Sequence, residues 1–208
     1  MFWNTKEPHG LPHDPFKSCV IPRPIGWIST ISPDGVPNLA PYSFFNGVAG
    51  DPPMVMFASG SRSADAPKDS IFNAEKTGEF VCSMVSYELR DVMNETSAGV
   101  DPEVDEAAYA GIEMEASKLV KPMRVKAAPI HLGCKYFGTM DLPADRRGAG
   151  NAICVGHVIG VYVDDSVMKD GLIDVKAFRP VARLGYMDYT SVEDIFTIMR
   201  PKVKQAAE

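Results

Sequence analysis

The densest chemistry in the chain lies in SGSRSADAPKDS, residues 59–70. Ser59, Ser61, Arg62, Ser63, Lys68 and Ser70 offer hydroxyls, a guanidinium and an ammonium, with small residues between them. The stretch joins an apolar run to a predicted helix start. Hydroxyls, a cation and the N–H groups of a helix N-terminus together suit a phosphate. The same residues also make an ordinary exposed loop with a helix cap, and taken alone they leave both readings open.

Two earlier stretches, PRPIGWIST (residues 22–30) and NLAPYSFFNG (residues 38–47), are complementary to that loop. Trp27, Tyr42, Phe44 and Phe45 can wall a flat slot. Ser29, Thr30, Ser43 and Asn46 add hydrogen-bonding groups, and the irregular second stretch, from Ala40 onward, frees backbone groups. A planar heteroaromatic ring needs that mixture of apolar faces and edge partners. A core tryptophan with packing aromatics is the plainer account of any one of these residues. The combination of a ring slot with an anion loop in one third of the chain points to a ligand with a flat ring and a charged tail.

Other chemistries are excluded. GAGNAI, residues 148–153, lacks the third glycine of a dinucleotide fingerprint and precedes a strand-like run, so a hairpin turn near Arg146 and Arg147 explains it better. No G-x-S-x-G is present, and no cysteine is paired with a histidine in a nucleophile motif. Cys19, Cys82, Cys134 and Cys154 form no C-x-x-C pair, and His9, His13, His131 and His157 show no zinc spacing with them. Cys82 and Cys154 read as buried free thiols. The net charge of −6 with no basic stripe argues against nucleic acid. The N-terminal residues do not read as a signal peptide, and the longest apolar run, Ala152 to Val163, is too short to span a bilayer, so no membrane is expected and the location expected is cytoplasmic.

These groups need a scaffold, and strand signals dominate. Strands are predicted at Ile25–Ile31, Met54–Ser59, Glu79–Ser86, Ile130–Met140, Ala152–Val163 and Phe178–Leu184, with a tight turn at Asp34-Gly35. Helices are few. One is capped by Asp69 or Ser70 and stops at Gly78, a second ends near Gly99, a third starts at Asp105, and a capping box from Ser191 to Asp194 opens a fourth. The fold class is mainly β, a closed or partly closed antiparallel barrel with flanking helices. With 208 residues and 45% hydrophobic content, a single domain is expected over 1–208, with an N-terminal arm at 1–18 and a C-terminal helix or tail at 192–208.

PRPIGWISTISPDGVPNLAPYSFFNGVAGDPPMVMFA followed by KDSIFNAEKTGEFVCSMV resembles the flavin-reductase-like, FMN-binding split-barrel family, flavoredoxin-like members included. ICVGHVIGVYVDD and RPVARLGYMDYTSV match its closing strands. The resemblance covers most of Cys19 to Val192. It implies a Greek-key split barrel, a homodimer with FMN near the subunit interface, and oxidoreductase activity of the NAD(P)H:flavin reductase type. It places Trp27 to Thr30 and Ala40 to Asn46 at the ring and ribityl chain. It places Ser59, Arg62, Lys68, Asp69 and Ser70 at the phosphate, where serine replaces the common threonine of the last position. Arg183 and Tyr186 match a segment that either contacts flavin or closes the barrel. Asn151 stands where short flavin reductases often carry a histidine that seats the nicotinamide. Three roles stay open: a reductase using NADH or NADPH, serving a monooxygenase or other redox partner, a flavoredoxin-like electron carrier, or a flavin-binding module without redox work.

Overall fold

The computed structural model describes residues 1–61, 68–144 and 149–201. Its main sheet contains, in chain order, β1 (Gly26–Ile31), β2 (Pro37–Tyr42), β3 (Phe45–Gly50), β4 (Pro53–Gly60), β5 (Glu79–Met84), β6 (Ile130–Leu142) and β7 (Asn151–Val163). Their order across the sheet is β2-β1-β5-β6-β7-β4-β3, and every neighbouring pair is antiparallel. The two edge strands, β2 and β3, follow one another in the chain with only Ser43 and Phe44 between them. That short link forces the sheet to roll until its edges approach. The edges do not pair, so the barrel stays split. β1 and β2 form a hairpin through the predicted turn, where Gly35 adopts a φ of 88°, open to glycine at little cost.

NLAPYSFFNG is thus not one irregular segment but the end of one strand and the start of another. The predicted Phe178–Leu184 strand shrinks to β8 (Val181–Arg183), because Phe178 ends a short helix, Val175–Phe178, capped by the Asp174 carboxylate. β8 pairs with β9 (Tyr189–Ser191) and with Arg23–Pro24 in a small second sheet. The helix expected after Ser191 does not form: residues 192–201 run without helix or strand and expose Ile195, Phe196, Ile198 and Met199. So short an apolar segment, with no surface to pack on, does not repay helix nucleation.

The core has two main lobes. One lies inside the barrel around Ile28, Phe45, Phe57, Phe80, Cys82, Cys134 and Cys154. Phe57 and Phe80 meet edge to face with centroids 5.5 Å apart. Helix α1 (Asp69–Thr77) closes this lobe with Ile71 and Ala74 and ends on Gly78 in the left-handed region, as its sequence predicts. The second lobe, around Trp27, Leu39, Val85, Met93 and Val125, packs under helices α2 (Arg90–Glu95) and α3 (Glu106–Tyr109). The predicted helix ending near Gly99 stops at Glu95, which leaves residues 96–100 as a loop of small and hydroxyl-bearing residues.

Candidate functional site

A cavity of about 460 Å³ opens where the edge of β2 meets the start of α1, the 96–100 loop and the start of α3. Its size falls within the range of small-molecule sites. Asn38, Ala40, Pro41 and Tyr42 form one wall. Ser61, Lys68 and Asp69 form the end at α1, and Thr96 to Val100 with Glu106 close the opposite side.

Each wall has a traceable cause. Within β2, Asn38, Ala40 and Tyr42 lie opposite Thr30, Ile28 and Gly26 of β1. Leu39 turns its N–H away, where the Glu106 carboxylate accepts it at 2.9 Å. Pro37 and Pro41 share the outward phase of Leu39 and have no N–H to leave unpaired, which fits them to an edge strand. The floor is pinned from below by Ser70. This fully buried hydroxyl meets the Asn38 amide at 3.0 Å and the Tyr42 hydroxyl at 2.9 Å. Burial is the main cause that pushes the Tyr42 phenol up to about 12. The 96–100 loop is anchored by Trp27, whose indole N–H donates to Thr96 Oγ1 at 2.8 Å, while the Thr96 hydroxyl donates to the Met93 carbonyl at 2.8 Å.

Of the expected ligand contacts, this cavity gathers Ala40, Tyr42, Lys68 and Asp69. Ser59 lies at the end of β4, where its hydroxyl donates to the Gly60 carbonyl, and Arg62 lies outside the described residues. Other side chains are placed away from this cavity. Trp27 is fully buried in the second core lobe and walls no slot. The Ser29 hydroxyl donates to the Met123 carbonyl, and Thr30 accepts from the Asn73 amide at 3.1 Å, both out of solvent. Ser70 serves the floor and is closed off from a phosphate. Phe45 is a core residue packed against Gly26. Ser43, Phe44 and Asn46 sit at the β2–β3 link and edge, with Phe44 under the Arg23 guanidinium at 5.8 Å. Among the described residues Arg23 has no ion-pair partner; it donates to the carbonyls of Lys17, Val20 and Leu184. Arg183 bonds Tyr189 and the Tyr186 carbonyl, and the Tyr186 ring meets His13 at 5.7 Å, so both tie down the small sheet and the arm rather than the cavity.

Sequence reasoning missed the 96–100 loop and Glu106. The signal present was TSAG after a helix pattern, a run of small and hydroxyl residues at a helix end. Its helix propensity continues past Glu95, and propensity alone does not show where packing stops. Among the described residues no group of histidine, cysteine and carboxylate side chains is arranged to hold a metal ion.

The profile described as "Flavin reductase like domain" matches residues 18–182, most of the chain and all seven strands of the main sheet. The chain belongs to the flavin reductase-like domain family. This FMN-binding split-barrel family accounts for the rolled, unpaired sheet. The chain is 38% identical over 167 residues to an uncharacterized protein of Aquifex aeolicus, across 80% of this chain and 82% of that one. Among solved structures it is similar to nitrilotriacetate monooxygenase component B from Bacillus cereus, with a TM-score of 0.86 and 27% identity over 95% of this chain and 98% of the other. It is also similar to 2-nitrobenzoate 2-nitroreductase of Pseudomonas fluorescens, with a TM-score of 0.79 and 25% identity over 93% and 92%.

Proposed function

We propose that this flavin reductase-like protein is an FMN-dependent oxidoreductase that takes electrons from NADH or NADPH. The observation that carries this reading is one cavity with two unlike ends. Ala40 and Pro41 present an apolar strand edge, while Lys68 stands where α1 begins, as its N-cap residue. That donor set fits FMN. The helix N-terminus and the ammonium suit an anionic tail, the strand edge suits a flat ring, and Ser61 and Ser97 offer hydroxyls between.

FMN, when bound, supplies the hydride- and electron-accepting chemistry. The chain's own residues position and shield. Lys68 holds the tail by charge. β2, pinned through Ser70 and Glu106, presents a rigid edge that excludes water from one side of the cavity. Hydride transfer to a flavin asks no proton of a side chain, so no acid–base pair is required. The similarity to a monooxygenase component and to a nitroreductase supports electron delivery to a partner or a small acceptor.

A flavoredoxin-like carrier is the second reading, and Asn151 favours it. Its amide donates to the Pro143 carbonyl at 3.1 Å and it stands opposite Gly60, at the position where the resemblance implies a nicotinamide-seating histidine in short flavin reductases. An anaerobic titration of the purified protein with each nicotinamide, followed by visible absorbance, separates the two. Bleaching of the flavin by NADH or NADPH supports the reductase. Failure of both, with full bleaching by dithionite, leaves the carrier.

A further inference from the structure

Among the described residues that line the cavity, Glu106 is the buried carboxylate, and Asp69 lines the same space. Its Oε2 accepts the Leu39 N–H at 2.9 Å, and this bond seals the single outward N–H among residues 37, 39 and 41. A carboxylate has about four acceptor directions, and the N–H groups of Leu39 and of Glu106 itself use two. Glu106 lines the cavity, and among the described lining residues the cation is Lys68, at the α1 end. A negative group here repels a phosphate and favours a neutral donor. The imide N–H of a flavin ring is a poor match, because the carbonyl oxygens on either side of it would crowd a carboxylate. A hydroxyl is a good one, since O–H to carboxylate bonds are short and charge-assisted.

We propose that Glu106 is a specificity-determining residue of this cleft: its carboxylate accepts a hydroxyl of the ligand's polyol chain and turns the anionic tail towards Lys68. The inference rests on the flavin reading and adds the polarity with which the ligand lies. Burial, and then the charges of Asp69 and Asp105, raise the carboxyl above its ordinary value, while the Leu39 and Glu106 N–H groups oppose that rise.

The test uses the full chain and three probes: lumiflavin, which has only the ring, riboflavin, which adds the polyol, and FMN. Glu106→Gln keeps an oxygen for Leu39 and removes the charge. Binding is read by quenching of flavin fluorescence, with circular dichroism to confirm the fold. Riboflavin should bind about fivefold more weakly to the variant, the difference between a charge-assisted and a neutral hydrogen bond. Lumiflavin should not change. FMN should lose less than riboflavin, so that the preference for FMN over riboflavin grows by about threefold as the repulsion disappears. Equal losses for all three probes, or none for riboflavin, overturn the proposal. Should Glu106→Gln fail to fold, Glu106→Asp keeps the charge but withdraws it by one methylene. It must then weaken riboflavin while sparing lumiflavin, or the proposal falls. Wild-type protein that binds none of the three would instead sink the flavin reading itself.

Discussion

Lys68 and Trp27 show how differently two expected ligand residues behave once placed. Lys68 is exposed at the mouth of α1 and touches little of the core, so its loss should act on binding. Lys68→Ala is expected to weaken FMN about tenfold, on the order of 1.5 kcal/mol for one solvent-accessible charged contact, and to leave riboflavin and the melting temperature unchanged. Fluorescence titration and thermal melts check both halves. Trp27 acts through Thr96. Thr96→Val removes the acceptor of a buried indole N–H and should cost about 1–3 kcal/mol in urea unfolding. Because Thr96 opens the 96–100 wall, the same variant should also bind FMN more weakly. The tryptophan was legible as important but not as indirect: its type fits both a ring slot and a core, and only burial separates them.

At the scale of elements, β6 and β7 form the longest pairing, and both depend on close approach. A side chain at Gly156 of β7 would collide with the Phe80 ring and press on Cys134 at 3.2 Å. Gly156→Ala should therefore destabilise by about 1–3 kcal/mol, read as a shift in urea midpoint. His131 on β6 adds a pH dependence. It is buried opposite Ser83 of β5, with Nδ1 2.9 Å from the Ser83 hydroxyl, and burial followed by the Arg124 charge lowers its pKa from 6.5 to about 4. The folded value lies below the unfolded one, so the neutral ring stabilises the fold above pH 6.5 and that contribution is lost as pH falls towards 4. Over that window wild type should lose about 3 kcal/mol more than His131→Leu, for a shift of about 2.5 units at 1.36 kcal/mol each. Parallel curves for the two proteins would assign the acid sensitivity to other groups.

For the whole molecule, the exposed apolar residues include Ile195, Phe196, Ile198 and Met199 after the last strand, and Phe137, Met140 and Val161 on β6 and β7. With a tail that forms no helix of its own, such surfaces gain most from a second copy of the chain. We therefore expect sedimentation to give about twice the 22.6 kDa of one chain, and removal of residues 192–208 to weaken that association. A monomer at micromolar concentration would contradict this. No helix among the described residues is long and apolar enough to cross a membrane.

What the sequence determined by itself was local and periodic. The strand signals of 79–86 and 152–163, the Asp34-Gly35 reversal, the helix start at Asp105 and the Gly78 stop are each set by residues within a few positions of one another; the strands form over Glu79–Met84 and Asn151–Val163, and the turn and both helix ends fall where expected. The resemblance of two early motifs was enough to name the family. The tertiary structure alone decided which hydroxyls face the cavity and which are consumed beneath it. Ser70 and Asp69 are adjacent in the chain, yet one is sealed under Asn38 and Tyr42 and the other lines the space. It also brought Glu106 to Leu39, 67 positions away. No local pattern encodes such a pairing, because it arises from the rolling of the sheet, which sets one strand's unpaired edge against a distant helix.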